Sequence, residues 1–229
     1  MNLVLFEWKL IVRNKRLAQM GIATILLCFM FYFQLTTSVL QKDIFFIKMC
    51  FLLAVFSLPA NFASLSFNIN ATFIEKQLIS PVSISKVLQA KYRFFGIIAF
   101  VLFVMFLPTI FIGVKLMELV AAFLFAVGFV FFCLFYSSLF SYKPFNIKAS
   151  AFFNYQGFDA GNYFFPMLVV IVALGFMALF CWLFNETITL IAMSLIGLVF
   201  IVTNRIWLEK ISKSFEKTKY RRLERFREK

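Results

Sequence analysis

The sequence lacks the combinations of reactive side chains that metal sites, nucleophilic catalysis and ATP binding require. The four cysteines form no CxxC pair and no histidine is present, so zinc and haem sites lack their usual ligands. The apolar runs contain neither an acid nor a base to activate a nucleophile, and the chain lacks the G-x-x-x-x-G-K-[ST] loop that cradles ATP phosphates. We therefore expect a protein that is not an enzyme and holds no metal or cofactor of its own.

Residues 71–93, ATFIEKQLISPVSISKVLQAKYR, form the most distinctive polar stretch of the sequence. Thr72 and Glu75 have the spacing of a capping box, which marks the start of a helix, and Pro81 disfavours its continuation. The pattern predicts a helix of about two turns over 73–79, too short to be stable alone. It must dock either on the protein's own membrane face or on a partner.

A second set of polar residues shares one face of a predicted helix. Its spacings of four, three and four residues place them on one side, and they are Ser57, Asn61, Ser64 and Asn68. Such a stripe can line a translocation path, or it can hold neighbouring membrane helices together by hydrogen bonds. Both interpretations remain open at the level of sequence.

The elements around these residues are predicted to lie in a membrane. The chain has 229 residues, 63% of them hydrophobic and 20% aromatic, with a mean hydropathy of +0.93. A crossing helix needs about 20 apolar residues. The sequence therefore predicts one all-α transmembrane domain over 1–229 with six spans, at about 19–38, 45–68, 94–114, 119–141, 163–184 and 187–207. Ser83 or Ser85 can cap the helix that leads into the third span, and Pro108 is expected to kink that span.

The distribution of basic residues predicts the orientation of these spans. With a cytoplasmic N-terminus, 20 of the 23 Lys and Arg residues fall inside, and only Lys42, Lys48 and Lys115 fall outside. By the positive-inside rule both termini are cytoplasmic, in a bacterial-type inner membrane. The basic tail over 208–229 continues the sixth span and is expected to meet anionic lipid or solvent rather than nucleic acid.

The first 18 residues predict an amphipathic helix. Leu3, Phe6 and Leu10 supply its apolar face, and the charged residues are expected on the other face. Such a helix can lie in the membrane interface. The alternative is that it extends the first span into the cytosol.

The segment EKQLISPVSISKVLQAKY, from Glu75 to Tyr92, resembles the segment that follows the second span in membrane subunits of ABC-2-type exporters. That family also has an amphipathic N-terminal helix, six spans and cytoplasmic termini. The resemblance covers essentially the whole chain. One departure is the short outer connection at 185–187, where family members often have a larger loop or re-entrant helices.

The resemblance implies that 73–79 is a coupling helix seated in a cleft of a separate ATPase subunit, which binds the ATP. The implied contact positions are Thr72, Phe73, Glu75, Lys76 and Gln77, with Pro81 at the end of the element. It also implies a permease that pairs with a second, identical or related permease subunit for export. The alternative is a non-transporting membrane scaffold or assembly protein that binds lipid or a partner complex.

Overall fold

A computed structural model describes residues 3–36, 53, 62–63, 66–67, 83–140 and 160–227. All regular structure in these ranges is helical, which confirms the predicted all-α class. Three helical stretches are long and apolar enough to cross a membrane, and they are Lys15–Phe33, Ile84–Phe111 and Leu116–Ser137. If the bent pair Glu186–Val202 and Asn204–Tyr220 is counted as one span, the number of candidate spans rises to four. Met167–Leu183 is a shorter apolar helix. This content is compatible with a multi-pass membrane protein.

Eight α-helices have described bounds, and residues 53 and 62–63 are helical as well. The eight helices are α1 (Leu3–Arg13), α2 (Lys15–Thr36), α3 (Ile84–Phe106), α4 (Leu116–Phe125), α5 (Phe131–Ser137), α6 (Ala160–Leu183), α7 (Glu186–Val202) and α8 (Asn204–Arg227). A 3-10 helix, Leu107–Ile112, follows α3, and a π-helical segment, Ala126–Val130, joins α4 to α5. The predicted second span, about 45–68, lies almost wholly outside the described residues.

Helix α3 begins and ends where the sequence predicts a change of backbone. Ser83 is its N-cap residue, with the extended backbone expected of that position, although its side chain makes no capping hydrogen bond. Pro108 was expected to kink this helix, and the α-helix gives way there to the 3-10 helix, which ends at Gly113 with a φ of 106°. A left-handed φ of this kind favours glycine because it has no Cβ.

A close helix crossing joins the π-helical segment to α7 through two glycines. A Cβ atom built on Gly128 would lie 2.1 Å from the carbonyl oxygen of Gly197, and one on Gly197 would lie 2.3 Å from that of Leu124. No side chain fits at such distances, so the two backbones are in direct contact. Small residues serve this purpose widely in membrane helix packing.

The first and last described helices both pack against the early turns of α3, at one end of the bundle. A carboxylate of α1 contacts Lys91 in the early turns of α3, and Trp207 of α8 packs on the neighbouring Tyr92. We call this the basic end. At the opposite end, Lys115 precedes α4 and contacts Glu186 at the start of α7. Helices α4 and α7 therefore both run from this second end toward the basic end.

The helical path bends inside the predicted sixth span, before the tail begins. Helix α7 ends at Val202, and α8 leaves it at an angle of 62°. Two polar side chains at the break donate hydrogen bonds to backbone carbonyl groups. Thr203 Oγ1 donates to the Val199 oxygen at 2.7 Å, and Asn204 Nδ2 donates to the Ile201 oxygen. Such local bonds compete with the helix and commonly bend it.

Candidate functional site

The residues selected from sequence fall outside the part of the chain that the structure describes. The predicted ATPase contacts there are Thr72, Phe73, Glu75, Lys76, Gln77 and Pro81. The polar stripe of Ser57, Asn61, Ser64 and Asn68 lies outside it as well. The candidate site is therefore built from the described residues on either side of the predicted coupling helix and from those that contact them.

Both described flanks of this segment adjoin α8. The Phe67 ring stacks on that of Phe215 with centroids 4.2 Å apart, and Phe62 stacks on Phe95 of α3 at 6.4 Å. On the far side, Ser83 lies in a groove whose other wall is α8. Residues 68–82 therefore leave and rejoin the described chain at the basic end.

The groove between α3 and α8 is lined by polar and charged residues and has a volume of about 420 Å³. The first turns of α3 contribute Ser83, Ser85, Lys86 and Gln89, and α8 contributes Glu209, Ser212, Lys213 and Glu216. Charges of both signs face each other across it. The groove thus borders the point at which the segment after Pro81 enters α3.

An ion pair buried at the basic end joins α1 to α3. Lys91 Nζ lies 2.6 Å from Glu7 Oε2, and the two side chains are only 2% and 4% exposed. Burial removes most of the hydration of both charges, and their mutual attraction offsets part of that cost. Beside the pair, the Trp8 ring meets that of Phe94 edge-on at 6.5 Å. Helix α1 is therefore held on α3 by both a charged and an aromatic contact.

This arrangement corrects the expectation that the charged residues of 1–18 all lie on the exposed face. Glu7 is 3% exposed and Arg16 is fully buried. Lys9 and Arg13 are exposed as predicted. The sequence contained one indication, since Glu7 is the only acid before Asp43. Nothing in the local pattern named its partner, 84 residues away.

The residue after Lys91 links α3 to three other helical elements. The Tyr92 hydroxyl donates to the backbone oxygen of Val127, in the π-helical segment, at 3.3 Å. Its ring meets those of Phe131 and Trp207 edge-on, at 6.1 and 5.5 Å. A π-helical turn is rare and often marks a functional position. We call Lys91 and Tyr92 together the junction of the bundle.

Trp207 fixes the bend between α7 and α8 against this junction. Its indole Nε1 donates to the backbone oxygen of Phe200 in α7 at 2.9 Å. Its ring also packs against Phe132 and Phe135. The bend is therefore a packed feature, with one face of α8 turned toward α3 and α5.

The part of the chain that the structure describes offers no metal chemistry. It contains no group of three or more His, Cys, Asp or Glu side chains that could hold a metal ion. The cysteines described there, Cys28, Cys133 and Cys181, form no disulfide.

Comparison with known proteins identifies the family without naming an activity. No curated protein matches the chain. No solved structure matches it either. A family model described as a family of unknown function, DUF5687, matches residues 2–229, nearly the whole sequence, and the protein therefore belongs to that family.

Proposed function

We propose that this protein is the membrane-spanning permease subunit of an ATP-driven ABC-2-type exporter. Residues 72–81 would contact a separate ATPase subunit, and a second permease subunit would complete the pathway. Six spans, with both termini in the cytoplasm of a bacterial-type cell, complete the proposed architecture. The charge distribution supports this orientation, because 20 of the 23 basic residues then lie inside.

One observation carries the proposal: the predicted coupling segment is flanked on both sides by residues at the basic end. Phe67 and Ser83 both adjoin α8, and the start of α3 is held to α1. A segment that joins two such points can extend below the bundle and meet a partner there. Flanks at the Lys115 end of the bundle would have been incompatible with the proposal.

The junction gives this segment a route into the bundle. From Ser83, α3 continues for two turns to Lys91 and Tyr92, which contact α1, the π-helical segment and α8. Because a helix is stiff over that length, displacement of the proposed coupling helix would move α1 and α8 together with α3. The protein lacks an ATP site motif, so the driving energy would enter there.

Co-purification with an ATPase subunit tests the proposal. The protein would be expressed with an ABC ATPase subunit encoded in the same genome and isolated through a tag on the permease. Charge changes in the segment, Glu75→Lys and Phe73→Asp, should lower the recovered ATPase about tenfold or more, because a like or unpaired charge in an interface costs several kcal/mol. Glu186→Lys, the same charge change at the opposite end, is the control and should leave recovery unchanged.

The readout separates the proposal from its alternative. ATPase recovery that is unaffected by Glu75→Lys and Phe73→Asp, in protein that is folded and inserted, would refute the coupling assignment. ATPase binding without ATP-dependent movement of any substrate in proteoliposomes would support the scaffold interpretation instead.

A further inference from the structure

The outward surface of α1 combines an apolar strip with basic side chains. Leu5, Trp8 and Val12 are 49%, 53% and 54% exposed, and their spacing of three and four residues places them on one side of the helix. Lys9 and Arg13 are exposed one turn apart on the adjacent side. We call these five residues, with the exposed Lys15 at the start of α2, the outer face of α1.

The only acid of α1 is turned away from this face. Glu7 lies on the opposite side of the helix, buried against Lys91 at 2.6 Å. The ion pair therefore removes the one charge that would repel an anion, and the outer face carries basic charge alone. The exposed surface of α8 differs, because Glu209 and Glu216 lie among its lysines.

We propose that the outer face of α1 binds the headgroup layer of an anionic phospholipid bilayer. Leu5, Trp8 and Val12 would enter the boundary between headgroups and acyl chains, where an interfacial helix places its apolar side and where tryptophan is favoured. The three basic side chains would reach the phosphates beside them. A nucleic acid would satisfy the charges but leave the apolar strip in water. This proposal does not rest on the transport function.

The contacts of α1 give such binding a structural consequence. The Glu7–Lys91 pair and the Trp8–Phe94 contact join the same helix to α3. Headgroups that hold the outer face would thus hold the early turns of α3 relative to the membrane surface. The junction would then respond to the charge of the surrounding lipid.

Fluorescence quenching at Trp8 tests the proposal in the full-length protein. The protein would be placed in phosphatidylcholine vesicles that contain brominated phosphatidylglycerol or brominated phosphatidylcholine. The difference between the wild type and Trp8→Phe isolates Trp8 from Trp182 and Trp207. Each basic side chain near an anionic surface contributes about fivefold to partition at low salt. We therefore expect brominated phosphatidylglycerol to quench Trp8 more strongly than brominated phosphatidylcholine, by a factor of about five or more. This ratio should fall at high salt, because salt screens the charges.

Variants of equal charge change locate the effect. The triple variant Lys9→Gln, Arg13→Gln, Lys15→Gln should bring the preference close to one, whereas Lys9→Arg, Arg13→Lys, Lys15→Arg should retain it. The matched control on α8, Lys210→Gln, Lys213→Gln, Lys217→Gln, removes the same charge and should also retain it. Equal quenching by both lipids in the wild type would overturn the proposal. So would a preference that survives in the first variant or that falls equally in the α8 control.

Discussion

The buried ion pair between α1 and α3 makes a sharp prediction about stability. Lys91→Met removes the ammonium group but keeps a side chain of similar length. The Glu7 carboxylate would then remain 4% exposed without the cation 2.6 Å away. At an effective dielectric constant of about 20, charges at that distance attract by about 6 kcal/mol, partly offset by their desolvation. We expect Lys91→Met to lower the free energy of unfolding by about 3–5 kcal/mol.

Two further variants separate the loss of attraction from the loss of the side chain. The double variant Glu7→Gln, Lys91→Met leaves no charge buried, and we expect it to recover to within about 1 kcal/mol of the wild type. Lys115→Met is the control, because Lys115 also pairs with an acid, at 3.6 Å, but its side chain is 66% exposed. An exposed pair contributes about 0–1 kcal/mol, so this variant should be almost silent.

The assay is reversible denaturant unfolding of the detergent-solubilised protein, followed by far-ultraviolet circular dichroism. The slope with denaturant must stay constant across the four proteins, so that midpoint shifts report stability. If Lys91→Met and Lys115→Met lower the unfolding free energy equally, or if the double variant is no more stable than Lys91→Met, then burial of the pair does not control its energy. Either result would refute the reasoning.

Two other contacts give predictions of different size. Gly128→Ala and Gly197→Ala should each lower the unfolding free energy by about 1–3 kcal/mol, because the new Cβ would lie 2.1 or 2.3 Å from a backbone oxygen. Gly175→Ala is the control, because its Cβ meets nothing within 4 Å. In the same unfolding assay it should be neutral or stabilising by up to about 1 kcal/mol. Tyr92→Phe removes the hydrogen bond to Val127 and should cost about 1 kcal/mol, against no measurable change for the half-exposed Tyr136→Phe. Equal effects within either set would contradict the packing described here.

Much of the helical framework follows from the sequence because its causes are local. Charge-free apolar runs predict one helix on each side of Lys115, and the structure has α3 and α4 at these places. The helix start predicted at Ser83 or Ser85 lies at Ser83, and the backbone changes at Pro108 as predicted. Each depends on residues within a few positions of the feature, so a single sequence suffices.

The contacts that define the junction could not be predicted in this way. Glu7 and Lys91 each fit an exposed position on a basic helix, and their pairing depends on how α1 lies across α3. The glycines at 128 and 197 show only that a close approach is possible. The residues that the sequence favoured, at 72–81, lie outside the described chain. The flanks of that segment, and not its own side chains, supply the structural support for its proposed role.

The position of the ion pair bears on why so apolar a protein would keep one. A buried pair adds little stability over an apolar pair of the same size, but it fixes one register, because any shift of α1 along α3 separates the charges. The adjacent Tyr92 fixes α3 against the π-helical segment and α8 in the same way, through a directed hydrogen bond and edge-on rings. Lys91 and Tyr92 thus set α1, α5 and α8 in register with a single turn of α3. If a partner moves the segment before Ser83, the displacement of α3 must pass to α1, α5 and α8 through the contacts of that turn. The double variant Glu7→Gln, Lys91→Met should then retain stability and ATPase binding while it weakens the response of transport to ATP.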